Sequence, residues 1–445
     1  MRDMTALPTR SAQLGKGVSR RRSRGGANRL GRLWYWLPAL AWAYLRRGRG
    51  DYWSTSVHLP PPRPGLPAAD EEEKSWHPGI PTAREVNRSW PSVAIVVPAR
   101  NEAALLPYTL PSLLAQDYPG HAWVVLVDDQ STDGTAELAR QLAASGGGRG
   151  LGLSIVEGEP QPPGWAGKPW AMAQGVRHAL AAPGPPGWFL FTDADIRHPP
   201  SSLHELVGSA LEGGRASVSL MVRLSARGFW ERLLMPAFVY FFAQIYPFSW
   251  VNDGTRRTAA AAGGCLLAEA AALQGAGGVE AIAGATIDDV ALAKALKRAG
   301  YDIWLGLAGG GGDNRDRPAP DVESLRRYPG LADIWQMVAR NAYTQLGRNP
   351  AALAGTVAAL TSIYLLPPLL VVDGLTSRRP AVAVAGALAW SAMASTYLPM
   401  ARYYRVAPGT AVALPLTASL YMAMTVSSAW RYHSGGPAWK GRGVG

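Results

Sequence analysis

The sequence predicts an α/β domain built on a mostly parallel sheet, with a short apolar anchor before it and apolar helices after it. Three observations predict this. Residues 93–99 (VAIVVPA), 123–129 (WVVLVDD) and 188–195 (WFLFTDAD) are short β-branched or aromatic runs ending in polar residues, the pattern of strands buried on both faces. The segments ALLPYTLPSLLAQ and TAELARQLAAS carry apolar residues at helical spacing, and strand–helix alternation builds βαβ units. Residues 351–372, 381–400 and 410–430 are apolar and carry no charge.

A chain of 445 residues exceeds one ordinary domain of about 100–200 residues, so further segments are expected around the α/β unit. Residues 1–33 read as a basic flexible tail. The first 50 residues hold twelve Lys or Arg against the single acid Asp3, which gives them +11 of the chain's +12. Beside an apolar stretch, such a tail suits an anionic lipid surface, and no nucleic-acid partner is expected. Residues 34–50 read as a retained N-terminal membrane anchor. Its apolar run, WYWLPALAWAYL, has only 12 residues, short of the roughly 20 that span a bilayer, and no convincing cleavage site follows it. Residues 51–91, with LPPPRPGLP and the acidic run from Asp70 to Glu73, read as linker.

Residues 92–350 form the expected catalytic domain. In such sheets ligands sit beyond the carboxyl ends of the strands, so the acids there converge on one crevice. Residues 229–251 (FWERLLMPAFVYFFAQIYPFSWV) are apolar and long enough to cross a bilayer, but crossing would put the acids before and after them on opposite sides. They are therefore expected as an interfacial helix, broken by Pro236 and Pro247, with Trp230, Tyr246 and Trp250 at headgroup depth. Residues 351–430 are expected as three transmembrane helices, and 431–445 as a C-terminal tail. The charged fraction of 17% is low against roughly 25% for soluble domains, in keeping with a lipid-facing surface. With Cys265 alone, neither an intrachain disulfide nor a cysteine-rich zinc site is available.

Three acidic pairs carry the chemistry: Asp128 and Asp129, Asp193 and Asp195, Asp288 and Asp289. Each has a plainer role open to it, because aspartates at strand ends also cap turns and helices. Together, at the ends of βαβ strands, they point to a site. An Asp-x-Asp triplet suits a hard divalent cation, Mg²⁺ or Mn²⁺, which takes one or two carboxylates plus phosphate oxygens and water. Such a cation would neutralise the diphosphate of a departing nucleotide in a sugar transfer. VALAKALKRAG puts Asp288 and Asp289 at a helix start, and an aspartate near the anomeric carbon can accept the proton of an attacking hydroxyl.

The ordered set VAIVVPARNE, VLVDDQSTDGT, WAGKPWAMAQG, FLFTDAD, AAAAGGCLL and TIDDVALAKAL resembles glycosyltransferase family 2, inverting enzymes with a nucleotide-sugar-binding, GT-A-like domain. The anchor, YPFSWVNDGTRRTAAAAGGC, ARNAYTQLGRNP and the C-terminal apolar stretches are similar to the hopanoid-biosynthesis-associated subgroup. The resemblance implies donor-binding roles for Ala99, Arg100, Asn101, Glu102, Asp128, Asp129, Lys168 and Asp193. It implies metal ligation by Asp193 and Asp195 and base catalysis by Asp289, with Asp288 where the family usually has Glu. Trp335 and Arg340 are expected to face the acceptor. Processive members carry Gln-x-x-Arg-Trp, whereas here three residues separate Gln336 from Arg340 and Asn341 follows, which counts against polymer synthesis. The expectation is a metal-dependent transfer from a nucleotide-sugar, a UDP-sugar, to a membrane lipid on the cytoplasmic face of the cell membrane. A processive polysaccharide synthase and a non-catalytic membrane scaffold are the alternatives.

Overall fold

The computed structural model describes residues 34–60, 90–145, 150–309 and 321–434, with the backbone of 438–439 and 442–443. The expected basic tail, residues 61–89 of the expected linker and most of the expected C-terminal tail lie outside them.

The domain is built on a seven-stranded sheet. Its strands are β1 Val93–Ala99, β2 Ala122–Asp128, β3 Gly152–Glu157, β4 Trp188–Phe191, β6 Ser217–Met221, β7 Leu266–Glu269 and β8 Ile303–Leu307; a two-residue β5, Ile196–Arg197, lies outside this sheet. The order is β3-β2-β1-β4-β7-β6-β8, and all neighbours run parallel except the two pairs made by β7. The expected mostly parallel α/β architecture is present.

Both faces of the sheet are covered. Alternate β1 residues divide between two cores, with Ala94 and Val96 in one and Val93, Ile95 and Val97 in the other. Helices α2 (Leu106–Leu114), α3 (Thr135–Ser145) and α5 (Ser202–Gly213) contribute Leu106, Leu110, Ala139 and Leu203 to the second core. Helix α4 (Gly167–Leu180) packs on the first. It comes in close at Gly175, where a Cβ would stand 2.6 Å from Val96 Cγ1, so a larger residue would lift the helix and Lys168 at its start.

Helix α1 (Leu37–Arg47) is too short to span and packs against the C-terminal helices. Residues 51–60, at the start of the segment read as linker, lie against the domain. Tyr52 is buried, and His58 makes a parallel bridge to Leu307. Helix α6 (Phe229–Ile245) runs unbroken through Pro236, and only Pro247 ends the run. Pro236 removes one backbone donor but is itself buried, and neighbours on both sides, among them Leu234, Met235 and Tyr240, hold the helix in place. Tyr246, expected at headgroup depth, is buried. Helix α6 supplies polar groups that its neighbours satisfy: the Tyr240 hydroxyl bonds those of Tyr52 (3.1 Å) and Thr396 (2.7 Å), and Gln244 Oε1 accepts from Tyr364 (2.8 Å).

Helix α7 (Asp288–Arg298) precedes β8, and β9 (Glu323–Ser324), which pairs with β5, and helix α8 (Leu331–Gln345) follow it. Three expected membrane spans become two candidates. Among the described residues, α9 (Pro350–Thr376) and α10 (Pro380–Tyr403) are long and apolar enough to cross a membrane. Helix α9 contains a π-turn at Thr361–Leu365. The third expected stretch forms a short turn at Gly409–Val412 and helix α11 (Leu414–Ser434), which falls short of the same test. Its Thr417, Ser427 and Ser428 are polar, and the two serines bond to α8: Ser427 Oγ accepts from Trp335 and Ser428 Oγ from the Tyr343 N–H.

Candidate active site

The first two strand ends are tied to each other. The Asp129 N–H donates to the Ala99 carbonyl (2.8 Å), and the Arg100 guanidinium donates to the Asp129 carbonyl (2.6 Å) while standing 3.7 Å from its carboxylate. Asn101, left-handed at φ 52°, accepts from the Thr132 N–H and donates its own N–H to Ser131. Asp133 accepts from the N–H groups of Ala103 and Thr135. Asp128 accepts from the Ser131 N–H at 3.2 Å. The crevice wall from Ala99 to Glu102 is thus held in shape by turn chemistry.

Lys168 joins Asp193 of the second acidic pair to the third pair. It lies in the first turn of α4, and its Nζ is 2.7 Å from Asp193 Oδ1 and 3.1 Å from Asp288 Oδ2. Burial opposes the ammonium's charge, but Asp193, Asp288 and Asp289 together raise its pKa above the usual lysine range. Asp289, in the first turn of α7, accepts from Gly263 N–H (2.7 Å) and Val290 N–H (2.7 Å). Burial, then the neighbouring Asp288, push its carboxyl up to about 7, against the opposing pull of Lys168. That value suits a proton acceptor near neutral pH. Gly263 makes the approach possible, because a Cβ there would lie 2.9 Å from Lys168 Nζ and 3.3 Å from Asp289 Oδ2.

Asp195 belongs to a different set. It is buried, accepts from Ser324 Oγ (2.5 Å), and lies 3.5 Å from Arg326 Nε, while Arg326 Nη2 is 2.6 Å from Glu102 Oε1. Burial raises the Asp195 pKa; Arg326 opposes the rise and Asp193 adds to it. The segment bearing Ser324 and Arg326 is fastened from below by Glu231 on α6. This fully buried carboxylate accepts from the N–H groups of Arg227 (2.8 Å), Gly228 (3.0 Å) and Tyr328 (2.7 Å) and from Arg327 Nε (3.2 Å). Burial works against its charge, but the backbone donors prevail and hold its pKa down at about 2.

Arg340 lies within the electrostatic reach of Asp193, Tyr328 and Arg326, and burial lowers its pKa. Trp335 instead donates to Ser427 of α11. Ser324, Arg326 and Glu231 were not singled out from sequence. The first two follow a glycine-rich stretch without periodicity, and Glu231 sits inside an apolar run.

Among the described residues no three His, Cys, Asp or Glu side chains cluster to hold a metal alone. Asp193 and Asp195 each use one carboxylate oxygen for the contacts above, and the second accepts no hydrogen bond among the described residues. Two carboxylates with free oxygens fit a hard cation that completes its shell with phosphate oxygens and water.

A mostly parallel sheet whose strand ends gather acids around one lysine defines a GT-A-like domain. Residues 94–264 match the profile described as glycosyl transferase family 2, and this segment is a glycosyltransferase domain of that family. Among curated proteins, the chain is 34% identical over 106 residues to a 4,4'-diaponeurosporenoate glycosyltransferase of Staphylococcus aureus, covering 24% of each. It is 32% identical over 128 residues to an undecaprenyl-phosphate 4-deoxy-4-formamido-L-arabinose transferase of Aeromonas hydrophila, covering 27% of this chain and 34% of that one. The chain thus spans only 24% to 34% of the length of these relatives. A solved mannosyltransferase of Pyrobaculum calidifontis in complex with GDP-Man and Mn²⁺ is 20% identical, with a TM-score of 0.45, over 89% of this chain and 98% of that one.

Proposed function

We propose that the chain is an inverting glycosyltransferase that moves a sugar from a nucleotide-sugar, a UDP-sugar, to a lipid at the cytoplasmic membrane face. The observation that carries this reading is Asp289, raised to about 7 and held by Gly263 beside the Lys168–Asp193 pair. The two candidate spans and the relatives named for lipid substrates support a lipid acceptor, and the sequence resemblance points to a hopanoid-related one.

In this reading Ala99 to Glu102, Asp128 and Asp129 line the base and ribose pocket. Asp193 and Asp195 would hold Mg²⁺ or Mn²⁺, which supplies Lewis-acid neutralisation of the diphosphate. Asp289 accepts the proton as the acceptor oxygen forms its bond to the anomeric carbon, and the bond to the nucleoside diphosphate breaks on the opposite face, inverting the configuration. Lys168 offers its ammonium to the diphosphate charge that develops as this bond breaks. Arg340 faces the same side of the site.

Membranes containing the full chain, incubated with a panel of labelled nucleotide-sugars, should yield a labelled lipid extract. Asp195→Ala and Asp289→Ala should abolish it while the proteins remain folded; wild-type-like labelling by either variant would sink the assigned roles.

A further inference from the structure

A cavity of about 630 Å³ opens between α7 and the turn after α8, lined by the loop 280–287, one face of α7, and Thr344, Gln345 and Arg348. Its charge is one-sided, with Lys294, Arg298 and Arg348 against Glu280. Lys294 and Arg298 are one helical turn apart, an arrangement of like charges that opposes helix stability unless something anionic answers it. Neither has an ion-pair partner among the described residues. Lys297 on the same helix shows the contrast, with its ammonium spent on the carbonyls of Val251, Asp253 and Thr258.

Arg348 is placed there by an unusual backbone. Gly347 and Arg348 have φ of 65° and 56°, a left-handed turn that a non-glycine residue rarely adopts, and the guanidinium stands 4.9 Å from the Tyr432 ring centroid. Arg348 is two residues from Pro350, where the first candidate span begins, so the mouth of the cavity lies where the domain meets the apolar helices. Thr286, Ile287 and Val290, which flank the Asp288–Asp289 pair in the chain, also line it. The Thr286 hydroxyl is buried there with no hydrogen-bond partner. Gln345, also in the wall, donates to the hydroxyl of Tyr246, which lies within the electrostatic reach of Asp289.

We propose that this cavity receives the anionic headgroup of a membrane lipid, a phosphate or carboxylate borne on an apolar chain. Resting on the transferase reading, that lipid is the acceptor: its anionic group is held by Lys294 and Arg298, while a separate hydroxyl of the same lipid gives its proton to Asp289 as it bonds to the anomeric carbon. A cation is excluded by the lining charge, and the position at the domain–helix junction favours an anion with an attached chain over a free one.

The test titrates the full-length protein in phosphatidylcholine nanodiscs with dodecyl phosphate, with inorganic phosphate and with UDP plus Mn²⁺. The wild type should bind dodecyl phosphate at least tenfold more tightly than inorganic phosphate, and Lys294→Gln/Arg298→Gln should lose at least tenfold of that affinity while binding UDP unchanged. Equal dodecyl phosphate affinity in variant and wild type overturns the site. Inorganic phosphate binding as tightly as dodecyl phosphate overturns the lipid assignment in favour of a free anion. Should the double variant lose UDP binding through misfolding, Arg298→Gln alone, at an exposed position, repeats the comparison. Failure of the wild type to bind UDP would sink the transferase reading separately, and dodecyl phosphate would still judge the cavity.

Discussion

The Lys168 ammonium stands 2.7 Å from Asp193 and 3.1 Å from Asp288, so one cation joins an acid at the end of β4 to an acid at the start of α7. Replacing it leaves Asp193, Asp288 and Asp289 facing one another without that counter-charge. Lys168→Gln should reduce donor turnover by about 10²–10³, the usual loss for one preorganised donor, with circular dichroism unchanged. Steady-state kinetics at varied donor concentration check this, and undiminished kcat/KM would remove Lys168 from the site.

The Asp289 carboxyl, raised to about 7, has opposite signatures in rate and in stability. Transfer needs the ionised base, so the rate should rise with pH through about 7. Between the ordinary aspartate range and about 7 the native protein binds the proton that the unfolded chain has released, so stability falls as pH rises across that window. Asp289→Asn should lose about 10²–10⁴ in rate and flatten that part of the stability profile. Denaturant midpoints of the ligand-free proteins from pH 4 to 8 provide the comparison.

Glu231 should behave in the reverse sense. Its pKa is lowered to about 2 from 4.5, so its contribution is complete above about 4.5 and is lost as pH falls from there toward 2. Glu231→Ala strands the N–H groups of Gly228 and Tyr328 and should destabilise the protein by about 3 kcal/mol. Urea unfolding at pH 7 measures this, and a loss well under 1 kcal/mol would show that water replaces the carboxylate.

Arg326 bridges Asp195 and Glu102, so it competes with any divalent cation for the Asp195 carboxylate. Arg326→Gln should strengthen Mn²⁺ binding in the absence of nucleotide several-fold, read by the loss of the free Mn²⁺ resonance signal. Weaker or unchanged binding would mean that Arg326 holds Asp195 in position instead of opposing the metal.

The parallel sheet and its acidic ends were legible because buried strands and strand-end aspartates leave short local patterns. The ties between them were not. Arg326 reaches Glu102 across 224 positions, and Ser324 reaches Asp195 across 129, pairings that no periodicity announces. Apolarity misled at one place: Pro236 reads as a break but is carried within a packed helix.

The π-turn at Thr361–Leu365 interrupts the regular ladder of α9, and within it the Ile363 carbonyl accepts from the fully buried Trp42 indole at 2.6 Å. Helix α1 is therefore a splint for the long helix. A fragment trimmed to the family-matching segment and its C-terminal helices would lose the Trp42 donor at Ile363 O, so purification schemes that cut away the first fifty residues remove a member of the bundle.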